Sequence, residues 1–192
     1  MLITFTSFFT ALALGCGIGI GPWDALSKSI SEVTNIQIGS VGLILNFSCI
    51  MFQFILKKGK ITTKLLLQIP LCIFLGMYTN FFFYEIFYNV SGMNYSTRLV
   101  LLIVCYICLA FSVATISELD IVPFALEGLC REIQCITTYN YGFIRQLIDL
   151  VCISFCLIIF IIKPEILNIR EGSLIALTIF GPLLTFFSKL LK

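Results

Sequence analysis

Runs without a single Lys, Arg, Asp or Glu dominate this chain: Leu2–Ile20, Ile38–Leu56, Leu65–Tyr84, Leu99–Ser117 and Gly172–Ser188. Each is close to the roughly 20 apolar residues that a helix needs to cross a bilayer. A further run, Leu150–Ile162, is too short alone and reaches that length only if its helix begins near Tyr141 and carries Arg145 and Asp149 inward. Charged residues make up 11% of the chain, against about a quarter in soluble domains, too few to clothe it in a water-compatible surface. The expected fold is all-α: a polytopic transmembrane bundle of about six spans, one domain over residues 1–192, with no room for a soluble catalytic domain. No Lys or Arg precedes Lys28, so the first run reads as a retained span rather than a secretory signal with its positive n-region.

The basic residues orient this bundle. Lys57, Lys58, Lys60 and Lys64 crowd the connector after the second run, Lys189 and Lys192 follow the last, and Arg131 and Arg145 fall on the same side. Only Lys28, Arg98, Lys163 and Arg170 fall on the other, and eight against four predicts both termini in the cytoplasm of a cell-membrane protein. The lysine cluster is then an orientation signal, and no nucleic-acid partner is expected. The acids Glu118, Asp120, Glu127 and Glu132 read as a solvated cytoplasmic face.

Enzyme chemistry finds little to rest on. The chain has no histidine, so a Ser/His/Asp set is excluded, and the glycines of Gly15–Gly21 do not follow a βαβ strand as a phosphate loop would. Cys105 and Cys108 have CxxC spacing but lie mid-run with no second pair, so they read as small hydrophobes. No cofactor and no metal is expected.

The order of features occurs twice, over about 1–90 and 95–192. In each half a span leads to a proline-aromatic pair, a short polar helix, a glycine-led span and a closing span. Pro22-Trp23 matches Pro123-Phe124 at an offset of 101 residues, and Gly39 matches Gly142 at 103, which sets Asn46 opposite Asp149. Three spans per half would place the second half upside down, the plan of many secondary transporters, with the two Pro-led helices either re-entrant or interfacial. On the proline alignment only the first copy carries an acid.

The candidate substrate-binding or gating residues follow from this plan. Gly21, Pro22, Trp23 and Asp24 form the first break, with Asp24 either a cation site or a helix-dipole cap. Pro123 is the second-half counterpart of Pro22. Arg145 and Asp149 share one helix face, and a mid-membrane charge costs at least about 2.5–3.5 kcal/mol unless it is used or paired. Asn46 is drawn in by its place opposite Asp149. Gln53, Gln68 and Asn80 are expected to hydrogen-bond between helices, and Ala11, Gly15 and Gly19 to let helices approach closely.

The stretch Gly-x-Gly-x-Gly-Pro-Trp-Asp-x-Leu at Gly17–Leu26, with Arg145, Asp149 and a closing Gly181-Pro182, resembles the YczE/YyaS/YitT group of bacterial membrane proteins. The resemblance implies a polytopic protein of the bacterial cytoplasmic membrane, in a group often labelled as transporters, and names no substrate; Asp24, Asn46, Arg145 and Asp149 are what make a small polar or charged solute the expected cargo. Two positions depart from the group's pattern: its Gly-Thr before the last span is Glu171-Gly172-Ser173, and its second acidic motif is Pro123-Phe124-Ala125. The expected partners are the lipid bilayer and a small-molecule solute, with a homo-oligomer or energising partner subunits as further expectations. The alternatives are the substrate-binding membrane subunit of a vitamin-uptake complex and a non-transporting accessory protein for an enzyme.

Overall fold

A computed structural model describes residues 1–87, 90–118 and 122–191; Asp120 and Lys192 of the charge pattern lie outside them, and the Glu118 side chain is likewise not described. Among the described residues the chain is all-helical, with eight α-helices and no strand. They are α1 (Leu2–Cys16), α2 (Pro22–Thr34), α3 (Ile38–Leu56), α4 (Thr63–Phe81, prolonged by a π turn to Ile86), α5 (Tyr95–Glu118), α6 (Ala125–Ile136), α7 (Tyr141–Ile162) and α8 (Glu171–Leu190). Five of these, α3, α4, α5, α7 and α8, are long and apolar enough to cross a membrane. Large apolar side chains face outward along them, among them Ile55, Phe74, Phe155 and Ile161, as lipid-facing helices require.

The first run does not form one continuous helix. α1 has 15 residues, about 22 Å at 1.5 Å per residue, and stops at Cys16. Gly17 (φ 66°) and Gly19 (φ 103°) adopt left-handed backbone that other residues rarely tolerate, and this ends the helix before the run ends. The freed backbone is bonded by residues remote in sequence. Arg98 Nη1 donates to the Cys16 carbonyl at 3.0 Å, Gly172 N–H to the Ile18 carbonyl at 2.9 Å, and Ile20 N–H to Ser173 Oγ at 3.1 Å. Glu171-Gly172-Ser173, where the chain departs from the group it resembles, is thus the strap that holds the glycine segment against α8.

Two devices lock α3 to α4. At one end Gly39 and Gly76 let the backbones touch: a Cβ on Gly76 would lie 2.7 Å from the Gly39 carbonyl oxygen, and one on Gly39 would overlap the Gly76 carbonyl. Asn80 finishes this contact by accepting from the Gly39 N–H at 2.6 Å and donating to Gln37 and Ser40. At the other end Gln53 and Gln68, both fully buried, exchange amide hydrogen bonds of 3.0 and 3.2 Å. Gln53 Nε2 also donates to the Ala125 carbonyl at 2.9 Å, which pins the start of α6. Lys57 adds an ion pair of 2.9 Å to Glu132. These side chains do the interhelical bonding expected of polar groups in apolar helices.

The remaining contacts are pairwise. α1 packs on α5 at the centre; α4 packs on α1 and α8 packs on α5. The short helix α2 lies against α3 and α7, and the short helix α6 lies against the same two. α7 begins at Tyr141, so its span includes Arg145 and Asp149.

Candidate functional site

Between these layers lies a cavity of about 880 Å³, within the size range of small-molecule sites. It runs from the start of α2 to Thr185 and Ser188 near the end of α8. Gly21, Pro22, Trp23 and Asp24 line one end, Asn46 reaches it from α3, and Arg145 and Asp149 reach it from α7. Residues far apart in sequence are therefore brought to one space. Pro123 is not in the lining: it precedes the Phe124 N-cap of α6 and so does not start that helix as Pro22 starts α2.

Asp24 is the third residue of α2, behind the Gly21 N-cap and Pro22. Its carboxylate makes no capping hydrogen bond, and no ion pair or hydrogen bond to it is formed among the described residues. The half-buried Trp23 ring lies beside it in the cavity wall. Asn46 is buried and its amide also makes no hydrogen bond among the described residues. Arg145 Nη1 contacts Asp149 Oδ1 directly, the i, i+4 pair that lets both charges sit in an apolar helix.

Two functional candidates escape the sequence reading. Glu127, expected on a solvated face, is only 7% exposed and lines the cavity. It is the third residue of α6, as Asp24 is of α2, so the second half has its acid after all. The proline alignment hid this because α6 begins two residues beyond Pro123; the helix starts Pro22 and Ala125 differ by 103, the offset that also relates Gly39 to Gly142 and Asn46 to Asp149. The other is Tyr106, 4% exposed, whose hydroxyl has no hydrogen-bond partner among the described residues and which lines the cavity from α5. A tyrosine in mid-span was the available signal, since a buried phenol normally finds a partner.

Burial pushes the Asp24 carboxyl up to about 6; Arg145 opposes the shift, while Asp149 and Glu127 add to it. The folded protein therefore binds this proton more tightly than the unfolded chain, so the contribution of Asp24 to stability falls as pH rises from about 4 to about 6. Thermal unfolding of Asp24→Asn and the parent should differ most at neutral pH, with the variant the more stable, and should converge near pH 4. An equal difference at all pH values would contradict this environment for Asp24.

The apolar helices, the strapped glycine break and a largely apolar cavity with a few charged groups in its wall define a helical protein of the membrane-spanning class. The chain belongs to the DUF6198 family, a family of unknown function, whose sequence profile matches residues 1–189. No curated protein and no solved structure matches it.

Proposed function

We propose that this protein is a transporter of a small polar or charged solute, built from two inverted three-span halves with α1–α4 in one and α5–α8 in the other. The observation that carries the reading is the charged cavity at the centre of an apolar bundle, lined from both halves. Helix pairing supports it. Exchanging α1 with α5, α2 with α6, α3 with α7 and α4 with α8 turns the contacts α1–α4, α2–α3 and α2–α7 into α5–α8, α6–α7 and α6–α3, all of which are made, whereas the close α3–α4 packing has no equal in α7–α8 among the described residues. α1 then acts as a sixth, shortened crossing completed by the strapped segment 17–21, and the excess of basic residues on one side supports an orientation with both termini in the cytoplasm. Paired short helices whose starts face a central site are what inverted-repeat transporters use to bind solute near the midplane. The likeness of Gly17–Leu26 to the YczE/YyaS/YitT group fits this reading and a bacterial cell membrane.

Purified protein is to be unfolded thermally against a panel of small metabolites, and any stabilising compound offered to sealed proteoliposomes containing this chain alone. The reading expects a compound that both stabilises and crosses. A compound that binds and never crosses would contradict it, and would point to a binding subunit that needs an energising partner.

A further inference from the structure

We propose that the cavity binds a small organic monocation, held between the carboxylates of Asp24 and Glu127; this rests on the transporter reading and names its substrate class. Three carboxylates line the cavity, Asp24, Glu127 and Asp149, against two guanidinium groups, Arg131 and Arg145. The ionised site is one negative charge in excess, and one monovalent cation neutralises it. Arg145 is in contact with Asp149, and Arg131 also has a partner. Asp24 and Glu127 are left without a hydrogen bond or ion pair among the described residues, although Glu127 is 7% exposed. A buried carboxylate without a counter-charge is costly, and a bound cation supplies one.

Other features on the wall suit the same ligand. Asp24 and Glu127 occupy matching third positions of α2 and α6, so the two halves offer one acid each. The Trp23 ring gives a cation a π face, the preferred aromatic partner for ammonium groups. The unpartnered Tyr106 hydroxyl and the free Asn46 amide are polar groups that a substituted amine can engage. A bare metal ion would leave most of the 880 Å³ empty.

The test is thermal unfolding of the full chain in detergent at pH 7.5 and constant ionic strength. The probes are tetramethylammonium, tetraethylammonium and butylammonium, with sodium and benzoate as controls. At least one organic cation should raise the unfolding midpoint where sodium and benzoate do not. Its dissociation constant should rise at least about thirtyfold in both Asp24→Asn and Glu127→Gln, as expected when one of two buried charge partners is removed. Should either variant fold poorly, the parent itself serves, because the cation's effect should fade as pH is lowered through 6 and Asp24 is protonated. No shift with any of the three cations, or a shift that survives in both variants, overturns the proposal. Stabilisation by benzoate alone overturns the cation class while leaving the transporter reading in place.

A different observation carries a second inference. Gly39 and Gly76 hold α3 and α4 in backbone contact; Gly142 on α7 matches Gly39 at the offset of 103, and Gly181 is the glycine in the middle of α8. A Cβ on Gly142 or Gly181 would meet nothing within 4 Å, both line the cavity, and α7 and α8 make no comparable contact among the described residues. Glycine inside a helix costs about 1 kcal/mol against alanine, and Gly181 has no packing here that repays it. We infer that α7 and α8 close on each other at Gly142 and Gly181 in a second conformation, which seals the cavity at that end.

With the exposed Cys135 and half-buried Cys108 replaced by serine, Gly142→Cys/Gly181→Cys should form an intramolecular disulfide under mild oxidation, read by mass. Each single variant should not. No bond, or a bond only between two chains, overturns the closure. Because the readout is a bond rather than a flux, it is independent of whether any tested solute is carried.

Discussion

Replacing Arg145 with methionine should cost the protein most of its folded population, whereas Arg145→Met/Asp149→Leu should restore the fold. The Arg145–Asp149 contact sits on a spanning helix with its two side chains 20% and 14% exposed. Removing the guanidinium strands Asp149 and also removes a positive charge that acts on Asp24 and Glu127, so the repulsion among three carboxylates in one cavity rises. Breaking a buried pair from one side typically costs about 3–5 kcal/mol, while replacing both partners by apolar groups is often neutral or stabilising. Detergent-solubilised yield and unfolding midpoint measure both variants. If Arg145→Met were as stable as the parent, Arg145 would be snorkelling to the surface and the pair would carry no weight in the fold.

Gly39→Val should split α3 from α4, and Gly142→Val should leave the fold almost untouched. The two glycines hold matching positions, each second in its helix. At Gly39 a side chain would be driven into the Gly76 carbonyl and the Asn80 amide. Backbone lies on one side and a hydrogen-bonded side chain on the other, so neither can yield cheaply. Overpacking of this kind costs about 1–3 kcal/mol, and the loss of the Asn80 bond to the Gly39 N–H adds to it. At Gly142 the added atoms meet open space. Unfolding midpoints of the two variants, measured side by side, should differ by the full effect. Equal midpoints would show that the helix contact at Gly39 does not stabilise the protein.

Much of the architecture was legible because bilayer solubility imposes a strong pattern. The uncharged runs gave the long helices, and the length requirement placed the start of the Leu150–Ile162 helix at Tyr141, where α7 begins. Gln53, Gln68 and Asn80 were readable because a polar amide in an apolar helix has few ways to be satisfied. Other features were hidden for physical reasons. The end of α1 at Cys16 depends on left-handed Gly17 and Gly19, and the backbone of their neighbours Ile18 and Ile20 is bonded by Gly172 and Ser173, more than 150 residues away. Arg98 looked like a flanking charge because nothing local reveals that it bonds the Cys16 carbonyl.

The site was half legible. Asp24, Asn46, Arg145 and Asp149 stand out as polar groups beside or within apolar runs, and they do share a cavity. Glu127 is hidden in the sequence because acids cluster around it and because Pro123 lies two residues before the start of α6 whereas Pro22 starts α2. Helix starts are set by capping and backbone geometry rather than by proline alone, and they put Glu127 in register with Asp24. Pro123 itself lies outside the cavity lining.

Access of one cavity to both faces of the membrane is what transport by this protein requires. It is tested by labelling Asn46→Cys, in the background lacking Cys108 and Cys135, with a membrane-impermeant thiol reagent applied separately to each side of sealed vesicles. Asn46 lines the cavity and makes no hydrogen bond among the described residues, so the substitution reports access without removing a structural contact. Labelling from both sides, slowed from each by a bound organic cation, is the predicted result. Labelling from one side alone under every condition would contradict the account.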